Sequence, residues 1–112
     1  MSRLSDVIAR LEAVIESRKG GDPTSSWTAK LLADPTLAAK KLGEESIEAV
    51  MAASAGDTDN LTAEAADVLY HLLALLAAAG VSTDAVAAQL ESREGTSGIA
   101  EKSARRSGGD KT

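Results

Sequence analysis

Five carboxylates fall into two short motifs in the middle of the chain, and their spacing could support metal-dependent chemistry. The first motif is Glu44-Glu45-x-x-Glu48, and the second, fifteen residues later, is Glu64-x-x-Asp67. Residues three or four apart lie on the same face of an α-helix, so each motif would group its acids. Clustered oxygen ligands in a chain without cysteine suit Mg²⁺, or Mn²⁺, better than zinc or iron.

The second motif lies on an otherwise apolar stretch. With a rotation of about 100° per residue, Glu64 lies about 60° and His71 about 40° from Asp67 around the helix. Nearly every other residue between positions 61 and 79 is Leu, Ala or Val. A helix that is apolar on all sides is typically buried, so we expect this narrow acidic stripe to be partly shielded from solvent.

The two motifs should meet in space. The helices that carry them are joined by a short turn at Gly56-Asp57, so they should pack as antiparallel neighbours. Carboxylates at that density need a bound cation or protonation. The simpler interpretation is a solvated set of acids balanced by neighbouring lysines and arginines.

The elements around these motifs are all helical. An amphipathic pattern predicts a helix over about residues 4–15, and further helices are predicted over 29–33, 36–55, 61–79 and 83–94. Ser2 or Ser5 would cap the first helix, and Asp59 or Asn60 the fourth. The fold class is therefore all-α, with four to five helices around a central antiparallel pair. We divide the chain into a helical domain (1–94), a segment (95–106) and a tail (107–112).

Length and composition narrow the possible partners. The chain has 112 residues, no cysteine and a net charge of −5, which favours one domain without nucleic-acid binding. Acidic residues and His71 interrupt the apolar segment 61–81, and its nearly clean part, residues 68–81, is shorter than the roughly 20 residues of a membrane span. No basic start leads into an apolar segment, so we expect a cytoplasmic protein with no membrane partner. Because so small a chain cannot cover all sides of both central helices, we also expect an intertwined homodimer.

The acidic motifs and four sequence segments around them resemble those of a known enzyme family. The acidic motifs resemble the Mg²⁺ motif of the all-α NTP pyrophosphohydrolase (MazG-like) superfamily. The flanking segments resemble the phosphoribosyl-ATP pyrophosphohydrolases of histidine biosynthesis, and the resemblance covers about residues 4–106. These segments are SWTAKLL (26–32), KKLGEE (40–45), EAADVLYHLL (64–73) and REGTSGIAEK (93–102).

The resemblance implies a stand-alone enzyme for the second step of L-histidine biosynthesis. It would hydrolyse the α–β phosphoanhydride of phosphoribosyl-ATP to phosphoribosyl-AMP and pyrophosphate. A bound Mg²⁺ would bridge phosphate oxygens. Glu44 or Glu45 would orient or deprotonate the attacking water. The implied metal ligands are Glu45, Glu48, Glu64 and Asp67.

Basic residues are candidate phosphate ligands. Lys30, Lys40 and Lys41 could act as point charges, although the last two point about 100° apart, so at most one should reach the site. The resemblance also implies that Ser97 and Lys102 belong to a loop that closes on a substrate phosphate.

Four further residues have two interpretations each. Trp27 could stack on the adenine or anchor the core. His71 could hydrogen-bond a metal-binding carboxylate or be an ordinary buried histidine. Ser26 and Thr28 could support the site or cap the short helix.

Other functions remain possible at this point. The same acids would serve a pyrophosphatase that removes dUTP, dCTP or damaged nucleotides, although such an enzyme would not need the motifs around Ser26 and Ser97. A di-iron bundle is disfavoured because the chain has a single histidine, and an EF-hand at Asp57 lacks its required Gly and Glu. A helical dimerisation module with solvated acids is the non-enzymatic alternative.

Overall fold

The computed structural model describes residues 2–95, and these residues contain five helices and no strand, which confirms the predicted all-α class. The chain divides after Val81 into two compact units. The first contains four helices and the second contains the fifth. The helices are α1 (Arg3–Ser17), α2 (Trp27–Ala33), α3 (Pro35–Ser54), α4 (Thr58–Ala79) and α5 (Thr83–Glu91).

The two longest helices, α3 and α4, form the central pair. They pack against each other along much of their length, and a three-residue turn joins them, so they run antiparallel as predicted. Gly56 takes a positive φ of 70° in this turn. The N-cap of α4 is Asp57, whose side chain accepts a hydrogen bond from the Asn60 N–H at 3.0 Å.

The predicted cap at Asp59 or Asn60 is therefore wrong, and α4 begins at Thr58. Asp57 has non-helical backbone angles, which leave its carboxylate able to reach the exposed amides of the first turn. Asp59 lies inside that turn, where a negative charge is favourable beside the helix N-terminus.

The short helix α2 begins two residues earlier than predicted. Ser26 accepts a hydrogen bond from the Ala29 N–H at 3.1 Å, so Trp27 and Thr28 are helical rather than part of the preceding loop. Asp34 then separates α2 from α3. It caps α3 by accepting from the Leu37 N–H, and Pro35 occupies the first turn, where a missing N–H does no harm.

The core of the first unit is small. Leu31, Ala38 and Ala74 are fully buried where α2, α3 and α4 meet, and Tyr70 and Leu75 pack against them. α1 also packs on α4 and buries Ile15, and Ser2 is its N-cap.

The single chain leaves much of α4 uncovered, as expected for a chain too small to cover all sides of both central helices. Only His71 and Ala74 of this helix are fully buried, because the neighbouring helices cover one side of it. By length and composition alone α4 could cross a membrane, a test that the core helix of a water-soluble protein also passes. Its remaining apolar surface has no cover within the described residues.

Candidate metal centre

Three carboxylates converge where α3 and α4 lie side by side. Glu45 and Glu48 of α3 and Glu64 of α4 each place one carboxylate oxygen within 4.8 Å of the others. Glu45 and Glu48 are one helical turn apart, and the antiparallel partner brings Glu64 against them. The structure thus brings together three of the four predicted metal ligands.

The fourth predicted ligand, Asp67, lies at the edge of this group. Its side chain is exposed and does not belong to the set of three, although its charge acts on Glu64, one turn earlier on the same helix. We therefore treat Glu45, Glu48 and Glu64 as the acidic cluster, with Asp67 beside it.

Glu64 is the residue whose electrostatic state depends most on its neighbours. It is half-buried, and its Oε1 atom is shielded from solvent without a hydrogen-bond partner among the described residues. Burial raises the pKa of Glu64, and the adjacent Glu45 carboxyl and the charges of Glu48, Glu45 and Asp67 raise it further. Without a cation, the cluster therefore favours a proton on Glu64.

These observations fit a divalent cation. A buried carboxylate oxygen without a partner is unfavourable, and a metal ion would supply the missing interaction. The donors are all carboxylate oxygens, the ligands that Mg²⁺ prefers, and the cluster contains neither sulfur nor imidazole.

Glu44 stands apart from the acidic cluster. Its Oε1 atom accepts from Lys41 Nζ at 3.2 Å, and its side chain is 44% exposed. Of the two residues predicted to handle the attacking water, Glu45 lies in the cluster and Glu44 lies next to it. Glu44 therefore has a cation as its partner instead of other acids.

Two of the three candidate phosphate-binding lysines gather around one aromatic ring. Lys30 Nζ and Lys41 Nζ each stand over the Trp27 ring, 5.8 Å from its centroid. Trp27 is 43% exposed, so it is not a core anchor in this chain. We call Trp27, Lys30 and Lys41 the lysine–tryptophan cluster.

Lys40 does not take part in this arrangement. It is exposed and makes no hydrogen bond or ion pair within residues 2–95. Lys41, the next residue, points towards Glu44 and Trp27. The two lysines therefore point in different directions, as their rotation around the helix predicts, and the prediction that at most one of them reaches a phosphate stays a prediction.

The remaining predicted site residues have structural contacts. The hydroxyl groups of Thr28 and Tyr70 are hydrogen-bonded at 2.6 Å, which links α2 to α4. His71 is buried, and its Nδ1 donates to the main-chain oxygen of Asp67 at 2.8 Å. A backbone carbonyl is its partner, as expected for an ordinary buried histidine, and Ser26 serves as a helix cap.

The link between Thr28 and Tyr70 was missed by sequence reasoning. The two residues are 42 positions apart, and neither belongs to a pattern that predicts the other's position. Ser97 and Lys102, together with most of the segment 95–106, lie outside the described residues.

The sequence model of one family, phosphoribosyl-ATP pyrophosphohydrolase, matches residues 8–94. The chain belongs to this family. The match includes all four predicted metal ligands and the lysine–tryptophan cluster. The resemblance inferred from the sequence motifs is therefore confirmed.

Relatives named phosphoribosyl-ATP pyrophosphatase match nearly their whole length. The protein of Caulobacter vibrioides (strain NA1000 / CB15N) is 69% identical over 103 residues, which cover 92% of this chain and 96% of the relative. Those of Dinoroseobacter shibae and Rhodobacter capsulatus are 61% and 60% identical, each over 88% of this chain. The chain is thus a phosphoribosyl-ATP pyrophosphohydrolase family member along most of its length.

Proposed function

We propose that the chain hydrolyses the α–β phosphoanhydride of phosphoribosyl-ATP, giving phosphoribosyl-AMP and pyrophosphate, in the second step of L-histidine biosynthesis. Family membership and the names of the relatives support the substrate. The structural observation that carries the proposal is the acidic cluster, in which oxygens of three carboxylates approach within 4.8 Å and Glu64 Oε1 has no hydrogen-bond partner between residues 2 and 95. Such a pathway enzyme would act in the cytoplasm.

The acidic cluster would hold Mg²⁺, or Mn²⁺ as the second candidate. Glu45, Glu48 and Glu64 are the proposed ligands, and Asp67, whose charge acts on Glu64, is the fourth candidate. When bound, the ion would neutralise phosphate oxygens and stabilise the charge that develops on the leaving pyrophosphate. The four side chains lie on α3 and α4, two helices that pack against each other along much of their length.

Glu44 is the residue that we propose to orient the attacking water. Its carboxylate is outside the acidic cluster, so it can accept a hydrogen bond from water while the cluster holds the cation. The ion pair with Lys41 fixes the direction of the Glu44 side chain. Lys41 lies about 40° from Glu45 around α3, so its ion pair brings the Glu44 carboxylate beside the acidic cluster.

A homodimer is the second part of the proposal. Ile47 and Val50 of α3 are 62% and 64% exposed, and Leu72 of α4 is also exposed. Exposed large apolar side chains are typical of an interaction surface, and a two-fold axis would pair such a surface with itself. The intertwined arrangement would cover the apolar sides of the central helices.

The test of the function is pyrophosphate release with Mg²⁺ from phosphoribosyl-ATP, ATP, dUTP and dCTP. We expect release from phosphoribosyl-ATP, and its loss in Glu48→Gln. Release from dUTP or dCTP instead would support the alternative, a pyrophosphatase that removes unwanted nucleotides. A failure to hydrolyse any of them, with no effect of Mg²⁺ on thermal melting, would contradict both and leave a helical dimerisation module.

A further inference from the structure

We infer that the substrate lies along α3 with one polarity: its leaving diphosphate at the lysine–tryptophan cluster and its adenosine part at the α3–α4 turn. The inference rests on the proposed function, because it assigns the two ends of that substrate. It depends on three features: the lysines around Trp27, their spacing from the acidic cluster, and a cleft on the other side of that cluster.

The lysine–tryptophan cluster has the charge to receive a phosphate. Lys41 shares its charge with Glu44, whereas Lys30 has no carboxylate partner within the described residues. Lys30, Lys41 and Glu44 together therefore carry a formal net charge of +1. Each ammonium group is 5.8 Å from the same ring centroid, so both could contact one diphosphate. They also stand over the ring, where a stacked base would have to lie.

The position of this cluster along α3 makes it a neighbour of the reacting phosphates. From Lys41, Glu45 is rotated by about 40° and Glu48 by about −20°, so all three share one face of the helix. Glu45 follows Lys41 by about 6 Å along the axis, and Glu48 by about 10 Å. A phosphate next to the scissile bond is therefore the group that Lys41 would meet.

A cleft of about 290 Å³ lies on the opposite side of the acidic cluster, next to the turn between α3 and α4. We call it the turn cleft. Its apolar wall comes from Met51, Ala52 and Ala55, and its polar groups come from Glu48, Asp57 and Asn60. Its size is at the lower end for ligand sites, which suits a part of a nucleotide such as the base.

Even with Glu48 bound to a cation, Asp57 leaves the turn cleft with a negative charge, which disfavours the opposite polarity. Two carboxylates, Glu48 and Asp57, line it, and no lysine or arginine among the described residues does. A diphosphate there would be repelled, whereas a purine offers apolar faces to Met51 and polar edges to Asn60. The acidic cluster lies between the two ends, where the bond is cleaved.

Direct binding tests this polarity without turnover. Calorimetry in the presence of Mg²⁺ would measure the affinities for inorganic pyrophosphate and for phosphoribosyl-AMP, the two products. We expect Lys30→Ala to weaken pyrophosphate binding about tenfold, as for a lost charge-assisted hydrogen bond, and to leave phosphoribosyl-AMP binding unchanged. Asn60→Ala should weaken phosphoribosyl-AMP binding and leave pyrophosphate binding unchanged, because the turn cleft would lose the Asn60 amide.

The control is Lys19→Ala, which removes a lysine of equal charge that is paired with Glu16 beyond the end of α1. It should change neither affinity. Circular dichroism would establish that each variant is folded.

Three results would overturn the inference. The first is weaker phosphoribosyl-AMP binding in Lys30→Ala with unchanged pyrophosphate binding. The second is that every variant binds each product with the affinity of the unaltered protein. The third is that the unaltered protein binds neither product. Turnover of phosphoribosyl-ATP by the unaltered protein reports separately on the proposed function. An active enzyme with the opposite binding pattern would keep the function and reject the polarity.

Discussion

The two faces of α3 depart from ordinary protein surfaces in opposite ways. One face crowds Glu45 and Glu48 against Glu64, so that charges sit together and partly out of water. The other face exposes Ile47 and Val50, so that apolar side chains sit in water. Both arrangements are unfavourable for an isolated chain. The comparison supports both parts of the proposal, a cation bound to one face of α3 and a second copy packed on the other.

A substitution on the acidic face of α3 should have a larger effect than one on the apolar face, and the effect should be on activity. We expect Glu48→Gln to reduce pyrophosphate release from phosphoribosyl-ATP by at least about a hundredfold, since even residues that only support metal ligands contribute about 10- to 100-fold. Steady-state assays at several Mg²⁺ concentrations would measure the loss. Glu16→Gln, on an exposed acid of α1, is the matched control and should keep full activity. A Glu48→Gln enzyme with normal activity would remove Glu48 from the site.

The apolar face should respond to an introduced charge. We expect Val50→Asp to weaken the dimer by about ten- to a hundredfold in dissociation constant, because burial of an apolar side chain of this size contributes about 1.5–3 kcal/mol. Analytical ultracentrifugation over a range of concentrations would measure the shift. Val7→Asp puts the same charge at an exposed apolar position of α1 and should leave the dimer intact. If the unaltered protein is a monomer, the proposed interface is wrong.

Glu64 allows the repulsion in the acidic face to be measured directly. Because its pKa is raised in the folded protein, the stability that its proton provides is present below the ordinary value and is lost as the pH rises through the raised pKa. We therefore expect Glu64→Gln to raise the melting temperature of the metal-free protein at pH 7. The same variant should lose the stabilisation that Mg²⁺ gives the unaltered protein.

Thermal melting at pH 5 and pH 7, with and without Mg²⁺, would measure both effects. The increase in melting temperature caused by Glu64→Gln in the metal-free protein should be smaller at pH 5 than at pH 7, because the unaltered Glu64 is more fully protonated at pH 5. A variant that is less stable than the unaltered protein under metal-free conditions would show that the acids do not repel one another.

The smallest expected effect concerns the link between α2 and α4. Thr28→Val removes one hydroxyl of the 2.6 Å hydrogen bond to Tyr70 and should lower the free energy of unfolding by about 1 kcal/mol. Tyr70→Phe should give a similar loss, and the double variant should lose less than the sum of the two. Denaturant unfolding would measure these values. Additive losses would show that the two hydroxyl groups are not energetically coupled.

The sequence predicted the central pair because its signals are local. The turn residues Gly56 and Asp57, and the spacing of Glu45, Glu48 and Glu64, are readable without a structure. The cap of α4 was misplaced because Asp57, Asp59 and Asn60 are all acceptable cap residues, and only the backbone angles distinguish them.

The lysine–tryptophan cluster could not be predicted in the same way. Lys40 and Lys41 are equivalent by residue type, and their difference depends on where α2 places Trp27 relative to α3. That placement follows from the cap at Ser26, the bond between Thr28 and Tyr70, and the packing of Leu31. The last two are contacts between distant parts of the chain, which a helical pattern does not encode.

The position of Asp34 limits where residues can be inserted into or deleted from the chain. It is the only residue between α2 and α3, and it both ends one helix and caps the next. An inserted residue here would lengthen the connection by up to about 3.6 Å and change where α2 places Lys30 relative to Glu45. Insertions and deletions between relatives should therefore avoid this junction and fall between α1 and α2, where residues 18–26 form a longer connection.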